Sequence, residues 1–192
     1  MHKDLLEFGR RLSGEFPHWV ERKPDDTEFS RIALDLFSLQ IQHNTAYGRL
    51  CANKVSEKLT DWRQIPAVPT LAFKELEMTS LPLEHRTTVF SSSGTTRQKR
   101  SRHFHSLDSL GLYEASLLQW FRHAFREEMM NARWLVLTPS AHDAPMSSLA
   151  HMFSTIAARL RRPESLFAGL VDFNDVWSLN FDKASCVTPL YA

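Results

Sequence analysis

Cysteine is almost missing from this chain: Cys51 and Cys186 are the only two in 192 residues. Two thiols build no disulfide framework and no paired C-x-x-C zinc pattern, which excludes the disulfide-stapled secreted scaffolds and the common zinc modules and points to a reducing compartment. The expected localisation is cytoplasmic. Charge of one sign is missing as well. Lys and Arg number 23 against 22 Asp and Glu, a net charge of +1, so a general electrostatic attraction to nucleic acid or to an acidic membrane is not expected. Long apolar runs are absent: the opening stretch MHKDLLEFGRRLSGEFPHW is interrupted by Asp4, Glu7, Arg10 and Arg11 before a signal-peptide core can form, and nothing downstream approaches a membrane span. Glycine is scarce too, six in all, with none between Gly48 and Gly94 or between Gly94 and Gly111. A glycine used so sparingly has a local reason to be where it is.

What is present fits a folded chain. Hydrophobic residues make up 43% and charged residues 23%, the balance of an ordinary globular domain able to bury a core. The segment 27–44 sets Phe29, Ile32, Ala33, Leu36, Phe37 and Leu39 on one helical face, and residues 1–60 read as mainly helical. Residues 61–90 contain Pro66, Pro69 and Pro82 and read as a connector with only short elements. The β-branched and aromatic TTVF, Thr87 to Phe90, predicts a short strand leading into the loop 91–101.

Residues 102–192 then alternate. SRHFH predicts a second strand, followed by a helix carrying Leu110, Tyr113, Leu117, Phe121 and Ala124 on one face, with Ser106 or Asp108 as its cap. RWLVLTPS is short and apolar and predicts a buried strand ending at Pro139, and APMSSLAHMFSTIAARL predicts a helix. SLFAGLVDF is expected to begin another unit of strand, turn and helix. The fold class expected is α/β, a helical N-terminal region followed by alternating strands and helices.

The loop SSSGTTRQKRS, Ser91 to Ser101, gathers five hydroxyl side chains around Gly94 and then three cations. A strand followed by hydroxyls, a glycine and cations suits an oxyanion: the glycine lets backbone N–H groups approach, Ser and Thr donate hydrogen bonds, and Lys or Arg supplies charge. Neither standard phosphate fingerprint is complete, because both require a second glycine. A solvated Ser/Thr-rich turn is the plain alternative.

The loop resembles the phosphate loop of the adenylate-forming enzymes, whose pattern runs Ser-Gly-Thr-Thr-Gly-x-Pro-Lys. IPAVPTLAFKELE from Ile65, FSSSGTTRQKRSRHF from Phe90, LYEASL from Leu112 and LTPSAHDAPMSSLAHM from Leu137 are similar, in order and spacing, to the acyl-protein synthetases, the family of the fatty-acid-activating subunit of bacterial bioluminescence. The similarity extends from about Leu36 to about Leu160. The resemblance implies an incomplete large N-terminal domain of an adenylate-forming enzyme. It also implies ATP-dependent conversion of a carboxylic acid of the fatty class to an acyl adenylate, with Mg²⁺ as counter-ion. The acyl group would then pass to a thiol or an accepting protein such as a reductase. By resemblance Ser92, Ser93, Gly94, Thr95, Thr96, Arg97, Lys99 and Arg100 would hold the phosphates, and Ser147, Ser148 and His151 would face the acyl chain. The sequence departs from the pattern where Arg97 replaces the second glycine, a change that costs about 1–3 kcal/mol if a positive φ is kept there. No counterpart is visible for the family's adenine pocket, metal-binding acid, C-terminal lid lysine or acceptor thiol, so a truncated, inactive remnant is one expectation.

Other constellations read more simply. His142, Asp143, Ser147, Ser148 and His151 invite a hydrolase triad, but no G-x-S-x-G elbow exists and Ser147 or Ser148 stands where a helix cap belongs. His103 and His105 alternate as strand residues, with no acid or cysteine beside them to complete a metal site. Cys186 lacks a basic neighbour to activate it, and the five tryptophans read as packing residues. The rival to an enzyme is a phosphate or nucleic-acid binding module using residues 97–103, where Arg97, Lys99, Arg100 and Arg102 cluster.

Overall fold

A computed structural model describes residues 2–52, 54, 58–92, 99–125, 132, 134–161, 166–174 and 176–185. The fold is mixed α/β and predominantly helical, and it divides into two compact units, Met1–Gln119 and Trp120–Ala192.

In the first unit, helix α1 (Lys3–Glu21) is amphipathic and buries Phe8 and Phe16. Pro17 lies inside it at an exposed position, so the helix bears there the loss of one backbone hydrogen bond. Helix α2 (Asp26–His43) covers the predicted 27–44 almost residue for residue, with the Asp25 carboxylate accepting from the Glu28 N–H at 2.8 Å as its cap. Of the predicted face, Phe37 is buried, whereas Phe29 is 43% exposed and packs edge-on against Trp62. Polar links tie α1 and its C-cap to α2: Asp4 to His43 at 2.8 Å, Arg11 to Asp35 at 2.9 Å, Arg22 to Glu28 at 3.0 Å and the Trp19 indole N–H to Glu28 at 3.5 Å. The His43 hydrogen bond holds the Asp4 carboxyl below the usual carboxylate range, and the His2 ring stacks on His43.

Helix α3 (Thr45–Cys51) starts immediately after α2, capped by the Asn44 side chain, which accepts from the Tyr47 N–H. The sharp α2–α3 corner explains Gly48: a Cβ there would lie 2.7 Å from the Ile41 carbonyl oxygen. Phe37, Tyr47 and Cys51 form the buried core of this unit, packed by Leu50, Leu59, Ile65, Val68 and Met78. The Tyr47 hydroxyl donates to the Pro66 carbonyl at 2.8 Å, and burial, reinforced by the Cys51 thiol, pushes its pKa up to about 12.

The proline-containing connector forms only two 3₁₀ turns, Trp62–Gln64 and Leu83–His85, and one short helix α4 (Ala72–Glu75). It leads into strand β1 (Thr88–Ser91), which pairs antiparallel with β2 (Arg102–His105) in the register Thr88 to His105 and Ser91 to Arg102. Helix α5 (Leu107–Ala124) follows, with the Ser106 hydroxyl accepting from the Ser109 N–H at 3.2 Å, the first of the two expected caps.

In the second unit β3 (Leu135–Val136) and β4 (Leu166–Phe167) are parallel neighbours, separated in sequence by helix α6 (Ser148–Arg159). This is the expected strand, helix, strand alternation. The strand predicted over 133–140 is shorter than expected: Leu137 is 61% exposed and only Leu135 and Val136 ladder with β4. The chain continues beside it nonetheless, the Gly169 N–H donating to the Thr138 carbonyl at 3.1 Å. Strands β5 (Gly169–Val171) and β6 (Trp177–Leu179) form an antiparallel pair, and α7 (Phe181–Ser185) follows. Ala150, Ile156 and Ala168 are wholly buried here. Trp120 and Trp177 are about two-fifths exposed, while Trp134 packs against Phe121.

Candidate functional site

The hydroxyl-rich loop is carried on a closed stem. Beyond the last strand pair the Ser92 N–H donates to the Ser101 carbonyl at 3.1 Å, and the Ser101 N–H donates back to the Ser92 hydroxyl at 3.1 Å. Ser101 is buried, so the hairpin is fixed at the point where the loop leaves it. Of the predicted phosphate contacts, Ser92 stands on this stem and Lys99 and Arg100 stand on the returning side. Ser93, Gly94, Thr95, Thr96 and Arg97 lie outside the described residues.

The cations around the stem meet carboxylates from the connector. Lys99 Nζ lies 3.2 Å from Glu75 Oε2, and Arg102 lies 3.6 Å from Glu77. Glu77 also takes a 2.7 Å hydrogen bond from Arg86, which holds its carboxyl below the usual carboxylate range. The guanidinium groups of Arg86 and Arg102 both lie near the Phe104 ring, 4.6 and 5.4 Å from its centroid. By sequence Glu75, Glu77 and Arg86 read only as parts of a connector. The alternation of acids in KELE is the one local signal, and only folding brings it to the stem.

Next to the stem, a cavity of about 700 Å³ opens in the first unit. Its walls come from α1 (Leu5, Gly9, Leu12), α2 (Leu36), β2 (Phe104, His105) and α5 (Leu112). The volume falls within the 300–1,000 Å³ typical of small-molecule sites, roughly, and the walls are mostly apolar. The His105 ring packs with Phe90 and Tyr113 in a three-ring cluster, with Nδ1 3.4 Å from the Ser109 hydroxyl. Burial raises the Tyr113 pKa.

The predicted acyl-facing residues lie in the second unit. Ser147 caps α6, its hydroxyl accepting from the Ala150 N–H at 3.1 Å, as the capping reading expected; Ser148 and His151 occupy the first turn. Nearby, the Ser140 hydroxyl donates to Asp143 at 2.7 Å, while His142 is 96% exposed in its side chain and reaches only the other oxygen of that carboxylate. The acid thus stands between serine and imidazole, an order in which the imidazole cannot take the serine proton directly. The Ser140 hydrogen bond, more than His142, lowers the Asp143 pKa. His103 stacks on Phe73, and the described residues hold no group of three or more metal-ligating side chains. Among them, too, no helix is long and apolar enough to cross a membrane.

No protein-family profile, curated protein or solved structure matches the chain.

Proposed function

We propose that the chain takes part in ATP-dependent activation of a carboxylic acid of the fatty class, forming an acyl adenylate for transfer to a thiol or protein acceptor. The observation that carries this reading is that one strand borders both the loop and the cavity. The N-terminal end of β2 anchors the hydroxyl and cation loop, and Phe104 and His105 at its other end wall the apolar cavity. A polyphosphate and an aliphatic acid could thereby be held by one rigid hairpin.

In the reaction a carboxylate oxygen attacks the α-phosphorus, the bond to the β-phosphate breaks, and pyrophosphate leaves. The chain's part is positional and electrostatic: hydrogen-bond donors and cations at the loop meet the charge that moves onto the leaving group. Mg²⁺ arriving with ATP would neutralise part of that charge. The residues fit this use. The Lys99–Glu75 pair is more than half exposed on both sides, the kind of surface pair that a charge-assisted phosphate contact readily replaces. Pairing of Lys99 and Arg102 with Glu75 and Glu77 lowers the net positive charge of the basic patch.

The test is acid-dependent exchange of labelled pyrophosphate into ATP, with wild type and the Lys99→Ala/Arg100→Ala double variant. Exchange that requires acid and Mg²⁺ and drops in the variant is expected. A cooperatively folded wild-type protein without exchange over a range of acids overturns the reading.

A further inference from the structure

Four of the six glycines lie inside helices, and three of these four, Gly9, Gly14 and Gly111, have no crowding neighbour to account for them. Gly48 is explained by the Ile41 carbonyl, and Gly169, outside the helices, by the Thr138–Pro139 peptide, which a Cβ would strike. Gly9 and Gly111 differ. A Cβ on Gly9 would meet only Leu112 Cδ2, at an ordinary 3.7 Å, and a Cβ on Gly111 would meet nothing within 4 Å. Glycine in a helix interior weakens the helix relative to alanine, so alanine would serve the folded chain better at both places.

Both glycines line the 700 Å³ cavity. On α1 the lining positions Leu5, Gly9 and Leu12 follow helical spacing, and on α5 Asp108, Gly111, Leu112 and Ala115 do the same, so each glycine sits in the middle of the face its helix turns to the cavity. Leu112 Cδ2 would lie 3.7 Å from a methyl group placed on Gly9, so the two faces confront each other. Leu107 and Gly111 line the cavity and are exposed, which puts an opening on this side of α5. Gly14 is the internal comparison: it is also in α1 and also open, but it does not line the cavity.

We propose that this cavity receives the unbranched aliphatic tail of the carboxylic acid, and that Gly9 and Gly111 set the width, and so the chain shape, that it accepts. The identity of the ligand rests on the acid-activation reading. The space, its apolar walls and its two glycines do not. An unbranched tail needs the least width where α1 faces α5, with Leu112 opposite Gly9, and a branched or ring-bearing chain needs more.

Calorimetric titration of octanoate, decanoate, dodecanoate and a methyl-branched decanoate into the full chain, without nucleotide or metal, tests this directly. Affinity should rise about fourfold per added methylene in the straight series and fall for the branched acid. Gly111→Leu should weaken dodecanoate binding more than tenfold, Gly9→Ala should weaken it several-fold, and Gly14→Ala should leave it unchanged. Thermal melts of all three variants at or above the wild-type midpoint would show that lost binding is not lost folding. Absence of binding to the folded wild type, or binding indifferent to Gly9 and Gly111, overturns the proposal. Glycine-sensitive binding without pyrophosphate exchange leaves the cavity assignment standing and removes ATP-dependent activation. Exchange with binding indifferent to the glycines does the reverse.

Discussion

Replacing Gly169 by alanine tests a close backbone approach in the second unit. Gly169 begins β5, its N–H bonded to the Thr138 carbonyl, and a Cβ built there falls on the Thr138–Pro139 peptide and the proline ring. Thr138 and Pro139 are themselves buried, and Pro139 is among the largest side chains with essentially no exposure. The added methyl therefore meets backbone that cannot rotate away, unlike the end of a flexible side chain. Overpacking of this kind costs about 1–3 kcal/mol. For a chain of this size each kcal/mol moves the midpoint by about 2–4 °C, so a fall of roughly 2–12 °C is expected. Gly14→Ala is the matched control: in the same experiment it removes a helix-interior glycine with open space around it and should raise stability by about 0.5–1 kcal/mol. The assay is thermal denaturation followed by far-ultraviolet circular dichroism, with near-ultraviolet dichroism as a second probe of packing. An unchanged or raised midpoint for Gly169→Ala would refute the argument that β5 is pressed against the Thr138–Pro139 peptide.

Ser147→Ala removes the α6 cap and should cost about 1 kcal/mol, read as a lower urea midpoint with unchanged slope, whereas Ser147→Asp should retain most of the stability. Tyr47→Phe leaves the Pro66 carbonyl without its donor and should cost about 1 kcal/mol at neutral pH. The same residue gives a pH dependence. Because folding raises the Tyr47 pKa from 10.0 to about 12, the unfolded chain ionises first, so stability contributed below pH 10 is lost as pH rises toward 12. Stability curves of wild type and Tyr47→Phe should converge across that interval; parallel curves would show that Tyr47 is not held neutral by its surroundings.

How much of this was legible beforehand depends on the reach of each interaction. The span of α2, the caps and the strand before the loop depend on residues within one or two turns of each other, and periodicity together with capping chemistry locates them, the caps to a choice of Ser106 or Asp108 and of Ser147 or Ser148. The shortening of β3 was not visible, because RWLVLTPS is apolar throughout, while a ladder partner exists for only Leu135 and Val136. Nor could the sequence pair Lys99 with Glu75 across 24 positions, or Arg86 and Arg102 with a single Glu77.

The amino-acid order by itself determined the mixed helix and strand pattern, the hydroxyl and cation loop set between two short strands, and the near-neutral charge that separates this chain from general polyanion binders. These are local or summed properties, present in any conformation of the chain. Only the tertiary structure decided that the strand bearing the loop also walls a cavity whose other sides come from Leu5, Leu36 and Leu112, and that Gly9 and Gly111 line that cavity. A cavity is the space that distant elements fail to fill, and that space has no sequence signature until packing fixes how far apart the helices stand.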